Sequence, residues 1–169
     1  MPPALPPPSK ICGGIPMTKN LGVGIIGCGN ISTAYLSLAA IYKGYEIVAV
    51  ADIIMDNARA QAAKFDVRAE TVEDLLAATD VDLIINLTIP AAHVSVSRSI
   101  LKAGKHVYSE KPFVLSLAEA QELGDIAKVN NVRIGSAPDT FMGGSHQLAR
   151  NLIDAEEIGK VTSGVAVVM

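Results

Sequence analysis

The sequence predicts an α/β domain with a doubly wound, mostly parallel sheet. Two observations predict it: apolar runs of strand length alternate with helical repeats of apolar residues along most of the chain, and a glycine turn joins the first strand to the first helix. Composition agrees, because half of the 169 residues are hydrophobic and only 18% are charged, which suits strands buried on both faces.

Strands are expected near 21–26, 45–51, 82–87, 106–109 and 132–136, with a short weak one near 66–68. Helices are expected near 30–43, 56–64, 71–78, 91–103, 116–130 and 143–155. In the first helix Ile31, Ala34, Tyr35, Leu38 and Ile41 recur at helical spacing. Thr71-Val-Glu-Asp and Ser116-Leu-Ala-Glu have the form of capping boxes, and Gly104 follows the fourth helix as a C-terminal stop. Alternation of this kind implies right-handed crossovers onto one sheet.

The chain divides into three stretches. Residues 1–18 hold six of the nine prolines and are expected to be a disordered leader, because proline can neither continue a helix nor donate to a ladder. Residues 19–140 form the expected nucleotide-binding domain. Residues 141–169 read as a helix followed by an apolar strand, Val161–Met169, the beginning of a second α+β domain truncated after its first strand. Such a strand is expected to pair with another copy, to add to the sheet edge, or to fray.

The net charge of −3 and the lack of a basic cluster interleaved with aromatics argue against a nucleic-acid partner. No apolar run approaches the length of a membrane span. The cysteines Cys12 and Cys28 do not suggest a disulfide scaffold, and a reducing cytoplasm fits. No metal-ligand cluster stands out.

The chemistry is concentrated at the ends of the expected strands. Gly27-Cys28-Gly29-Asn30-Ile31-Ser32 lies between a buried strand and a helix. Gly27 permits a tight turn, and Gly29 keeps side-chain atoms away from an approaching pyrophosphate. The first turn, with Cys28, Asn30 and Ile31, offers backbone N–H groups and a positive dipole end. Ser32 stands where a third glycine is usual and remains small enough for close packing. Asp52 ends the next strand, where a carboxylate can accept from an adenosine ribose. The order strand, glycines, helix, strand, acid points to a dinucleotide. A methyltransferase-like domain that binds a sulfonium cofactor also uses glycines and an acid.

Two further stretches are Asn86-Leu-Thr-Ile-Pro-Ala-Ala-His93 and Gly104-Lys-His-Val-Tyr-Ser-Glu-Lys-Pro112. With the glycine turn and Asp52, they resemble the Gfo/Idh/MocA oxidoreductases, whose Rossmann half corresponds to residues 19 onward. Glu110-Lys111-Pro112 is similar to that family's hallmark tripeptide, and Thr88-Ile-Pro-Ala-Ala-His93 to its stretch beside the nicotinamide. The methyltransferase alternative leaves Glu110-Lys111-Pro112 unexplained.

The resemblance implies an NAD(P)-dependent oxidoreductase acting on a small sugar, cyclitol or related polyol. NAD is expected in preference to NADP, because Asp52 repels a 2′-phosphate and Ile53-Ile54 supplies no arginine. Lys111 is implied as the catalytic residue at the substrate oxygen. Thr88, Pro90, His93 and Glu110 are implied beside the cofactor. Pro112 is expected to aim Lys111, with a cis bond common there in the family. Residue by residue, plainer readings stay open: Pro90 can simply start its helix, His93 can cap it, and Glu110 can be a surface charge. Family members hold substrate with a second domain that this sequence does not reach. Cofactor binding without turnover is therefore expected of these 169 residues, the alternative being a non-catalytic NAD(H)-binding sensor or scaffold.

Overall fold

The computed structural model describes residues 20–138, 140–165 and 167. The expected leader, residues 1–18, lies wholly outside them. Six strands and six helices alternate: β1 (Leu21–Ile26), α1 (Asn30–Ala39), β2 (Tyr45–Ala51), α2 (Met55–Phe65), β3 (Arg68–Glu70), α3 (Val72–Ala77), β4 (Leu83–Asn86), α4 (Pro90–Lys102), β5 (His106–Ser109), α5 (Leu117–Val129), β6 (Ile134–Ser136) and α6 (Gly144–Asp154). A single 3₁₀ turn over Thr140–Met142 precedes α6.

The strands form one sheet in the order β3-β2-β1-β4-β5-β6. Every neighbouring pair is parallel. The order reverses between β1 and β4, and doubly wound sheets bind ligands at such a switch point.

Alternation along the strands sorts side chains to two faces. On one face Ile26, Ala49, Ala51, Ile84 and Val107 pack against α3, α4 and α5 through Leu75, Ile100, Leu101 and Leu123. On the other, Val23, Ile25, Val50 and Ile85 pack against α1 and α2 through Leu36, Ala58 and Ala62. Gly24 lies directly over Leu75, where an added Cβ would stand 2.9 Å from a leucine methyl. Beside α1 the second face stays partly uncovered, leaving an apolar groove of about 530 Å³ lined by Leu38, Leu83, Ile85 and Tyr108 among others.

The caps behave as the residue types dictate. Ser116 and Glu119 close a reciprocal capping box at α5. At α3 the Thr71 hydroxyl caps the Asp74 N–H, but it bonds the Asp74 carboxylate as well, so that carboxylate does not reach back to the Thr71 backbone. Gly104 follows α4 at φ +74.

One expectation is corrected. The first helix ends at Ala39 rather than near residue 43. Its last bonds tighten to Ile41 N–H to Leu38 carbonyl and Tyr42 N–H to Ala39 carbonyl. The chain then turns at Gly44, φ +95, with the Tyr42 ring stacked on Tyr45 at 6.5 Å between centroids. Among the described residues of the C-terminal stretch, 161–165 and 167, no strand forms. An extended segment with no neighbour has no ladder to complete, and Val161 and Val165 are exposed. Residues 166, 168 and 169 lie outside the described set.

Candidate functional site

The carboxyl ends of β1, β2, β4 and β5 converge on one edge, and the loops that follow them pack together. Gly27 N–H donates to the Ala51 carbonyl, Leu87 N–H to Ile26, and Glu110 N–H to Asn86, at 2.8–2.9 Å. Gly27 adopts φ +103, and an added Cβ would lie 2.6 Å from the Leu87 carbonyl. Only glycine fits this position, for both reasons. Gly29 differs: a Cβ there would meet nothing within 4 Å. The backbone at Gly29 therefore faces open space, and the N–H groups of Asn30 and Ile31 at the start of α1 have no intrahelical acceptor. Ser32 is fully buried beneath them, and its hydroxyl donates to the Gly29 carbonyl at 2.6 Å. This turn fits a pyrophosphate: an exposed backbone, free amides and a helix dipole end meet at one place.

Asp52 ties that turn to β2. Its carboxylate accepts from the backbone N–H of Cys28 at 2.7 Å and of Ile54 at 2.8 Å. The Cys28 side chain points into the core beside Ala51. Burial, with the Asp52 charge adding to it, pushes the Cys28 thiol up to about 12. It is a packing residue in the turn.

The loops after β4 and β5 form the other side of the crevice. Asn86 is fully buried. Its amide donates to the His93 carbonyl and to the Ser97 hydroxyl, each at 3.0 Å. Its oxygen accepts from the Thr88 N–H and, at 2.6 Å, from the Thr88 hydroxyl. Pro90 occupies the first turn of α4, where its fixed φ suits the helix and its missing N–H costs nothing. The ring of His93 is 1% exposed, with Nδ1 2.7 Å from the Pro112 carbonyl and Nε2 2.9 Å from the Thr88 carbonyl. His93 thus lies beneath the crevice surface and neither caps α4 nor reaches open space.

Glu110 follows β5 directly. Its carboxylate accepts from the Tyr35 hydroxyl on α1 at 3.0 Å and from the Lys111 N–H at 2.9 Å. Lys111 is exposed at this same edge, and no hydrogen bond or ion pair of its amine is found among the described residues. The Lys111–Pro112 peptide is cis, as the tripeptide resemblance leads one to expect. Among the described residues no group of three or more potential metal ligands gathers. No helix there is long and apolar enough to cross a membrane.

Three contributors to this edge escape a reading of sequence. Tyr35 reads as an apolar-face residue of α1 but bonds Glu110. Ser97 is buried within α4. Asn86 offers the one available signal, a polar residue closing the apolar run Leu83-Ile-Ile.

A parallel doubly wound sheet with a glycine turn at its switch point, an acid after β2 and an open helix N-terminus defines a dinucleotide-binding Rossmann domain. The family model of the Gfo/Idh/MocA oxidoreductases, described as an NAD-binding Rossmann fold, matches residues 21–137, and the chain belongs to this family. It is 34% identical to an inositol 2-dehydrogenase of Salmonella paratyphi B, over 83% of this chain and 43% of that protein. It is 31% identical to a dTDP-3,4-didehydro-2,6-dideoxy-alpha-D-glucose 3-reductase of Streptomyces violaceoruber, over 85% of this chain and 42% of that protein. Among solved structures, a 3-ketoreductase from Actinomadura kijaniata in complex with TDP-benzene and NADP superposes with a TM-score of 0.78 at 25% identity, over 84% of this chain and 46% of the other. The chain therefore spans less than half the length of these relatives.

Proposed function

We propose that this chain binds NAD(H) across the crevice between β1 and β4 and serves as the cofactor half of an oxidoreductase for a sugar, cyclitol or related polyol. The observation that carries it is the joint placement of the open Gly29 turn, Asp52 and the Lys111 turn on one sheet edge. The names of two relatives, an inositol dehydrogenase and a deoxysugar reductase, support a polyhydroxylated ring as substrate.

The bound nicotinamide would supply hydride chemistry. The chain's own residues bind and orient. Asn30 and Ile31 N–H groups donate to the pyrophosphate. Asp52, whose oxygens keep lone pairs beyond the two amides they already serve, accepts from the adenosine ribose and disfavours a 2′-phosphate. Glu110, held by Tyr35, steadies the tripeptide turn. The Lys111 side chain, with no partner holding its amine among the described residues, meets the substrate oxygen: its ammonium gives that oxygen a proton when a carbonyl is reduced, and its neutral amine takes the hydroxyl proton when an alcohol is oxidised.

Cofactor binding without turnover is the activity we infer for the 169 residues alone, since they span 43% of the inositol dehydrogenase relative. Calorimetry with NADH, NADPH and S-adenosylmethionine tests the binding. Tightest binding of NADH supports the reading, and tightest binding of S-adenosylmethionine sinks it. A chimera continued by the remaining part of the inositol dehydrogenase relative tests the chemistry. It should oxidise a polyol with NAD, whereas polyol turnover by the unextended chain would remove the claim of inactivity.

A further inference from the structure

The ring of His93 has no solvent face and no apolar role. Both nitrogens meet carbonyl oxygens, Thr88 on the β4–α4 loop and Pro112 on the β5–α5 loop, at 2.9 and 2.7 Å. A neutral imidazole has one N–H and donates to one carbonyl in each tautomer; only the protonated ring donates to both. The ring sits between the two loops, with one nitrogen within 2.9 Å of a carbonyl of each. The backbone of His93 is itself held, since its carbonyl accepts from the buried Asn86 amide. Asn86 in turn grips the Thr88 N–H and hydroxyl. Asn86 and His93 thus hold the Thr88 peptide from two sides, and His93 carries the restraint on to Pro112, next to Lys111. The glycine turn meets the Thr88 loop through the Leu87 N–H, which donates to the Ile26 carbonyl, and has further restraints of its own in the Asp52–Cys28 and Gly27–Ala51 bonds, neither of which involves His93.

We infer that His93 is a positioning residue: a strap that fixes the Thr88 and Lys111–Pro112 turns against each other and so shapes the nicotinamide end of the crevice, while the Asp52–Cys28 and Gly27–Ala51 bonds, which do not involve His93, hold the adenosine end. The inference rests on the proposed NAD(H) reading for its functional consequence, but not for the strap.

Two measurements test it. The first needs no cofactor. Amide exchange is followed by NMR in the wild type and in His93→Phe, which keeps a ring and removes both nitrogens, and His93→Gln, which supplies a side-chain N–H. Thr88 and Lys111 amides should exchange about tenfold faster in His93→Phe, the loss of roughly one net hydrogen bond, with Cys28 unchanged and His93→Gln intermediate. Parallel acceleration at Cys28, or no change at Thr88 and Lys111, overturns the strap. If His93→Phe does not fold, ¹⁵N NMR of the wild-type ring decides: a slowly exchanging ring N–H supports the strap and a freely exchanging one overturns it.

The second measurement compares ADP-ribose with NADH by calorimetry. ADP-ribose should bind the wild type and His93→Phe within twofold of each other, while the additional affinity of NADH falls severalfold in His93→Phe and recovers in part in His93→Gln. Equal losses for both ligands mean that His93 only supports the fold. A wild type that binds neither ligand refutes the NAD(H) reading and leaves the strap to be judged by exchange.

Discussion

The carboxylate of Asp52 accepts the Cys28 backbone N–H at 2.7 Å, so the acid that ends β2 also holds the glycine turn that follows β1. One side chain thereby fixes the spacing between the two places where a dinucleotide would touch this half of the crevice, its ribose and its pyrophosphate.

Asp52→Ala should weaken NADH by about 1–3 kcal/mol, because it removes a ribose acceptor and leaves two amides without their partner. Asp52→Asn keeps one acceptor oxygen and should lose less, while narrowing the preference for NADH over NADPH. Calorimetric titration of both cofactors checks this. Unchanged selectivity in Asp52→Asn would remove the role assigned to its charge.

Gly27→Ala should be among the most damaging single changes. The added Cβ lies 2.6 Å from the Leu87 backbone at a φ of +103, so both the local conformation and the packing of two loops must give. A loss of more than about 2 kcal/mol in urea denaturation is expected. Gly29→Ala meets open space and should spare stability while lowering cofactor affinity.

Cys28 should be chemically silent. With its thiol pushed up to about 12 by burial and by Asp52, the thiolate is negligible near neutrality. In a Cys12→Ser background, iodoacetamide at pH 8 should leave Cys28 unmodified in the folded protein and modify it on unfolding. Rapid labelling of the native protein would contradict the buried placement.

Lys105 is the buried cation of the opposite edge. Its ammonium donates to the Ala78 and Val81 carbonyls at 2.6 and 2.7 Å. Desolvation lowers its proton affinity, against weaker support from Asp82 and Asp80. Lys105→Met should cost about 1–3 kcal/mol, since two carbonyls lose their donor. The folded state binds this proton less tightly than the unfolded chain does. Wild type should therefore gain stability relative to Lys105→Met as pH rises from the lowered folded value towards that of an ordinary lysine, with its smallest advantage below that interval. Denaturation of both proteins across alkaline pH measures the difference.

Lys111→Ala should leave NADH affinity within about twofold, because among the described residues the Lys111 amine has no bond to the elements that shape the turn. In the chimera described above it should abolish most turnover. A chimera that turns over normally without Lys111 would refute its catalytic assignment.

Much of this protein is written in short-range patterns. The helical repeat in α1, the apolar runs of β1 and β4, the Ser116 box and the stop at Gly104 each depend on neighbours within a turn or two, so they are legible one segment at a time. The glycine turn and Asp52 are legible for the same reason: backbone freedom and strand-end placement are local properties. Glu110-Lys111-Pro112 is visible as a motif, and it follows β5 directly.

What the tertiary structure alone decided is the company each polar group keeps. Tyr35 meets Glu110 across 75 residues of sequence, and Gly22 meets Asp82 across 60, through the parallel register of the sheet. His93 faces inward because its position on α4 brings the ring between two loop carbonyls, a fact set by how α4 lies on β4 and β5. Lys105 is buried because its short turn between α4 and β5 lies over the Ala78 and Val81 carbonyls. In each case the deciding interaction is a hydrogen bond that exists only after the sheet has assembled, and a local pattern carries no information about a partner that assembly alone supplies.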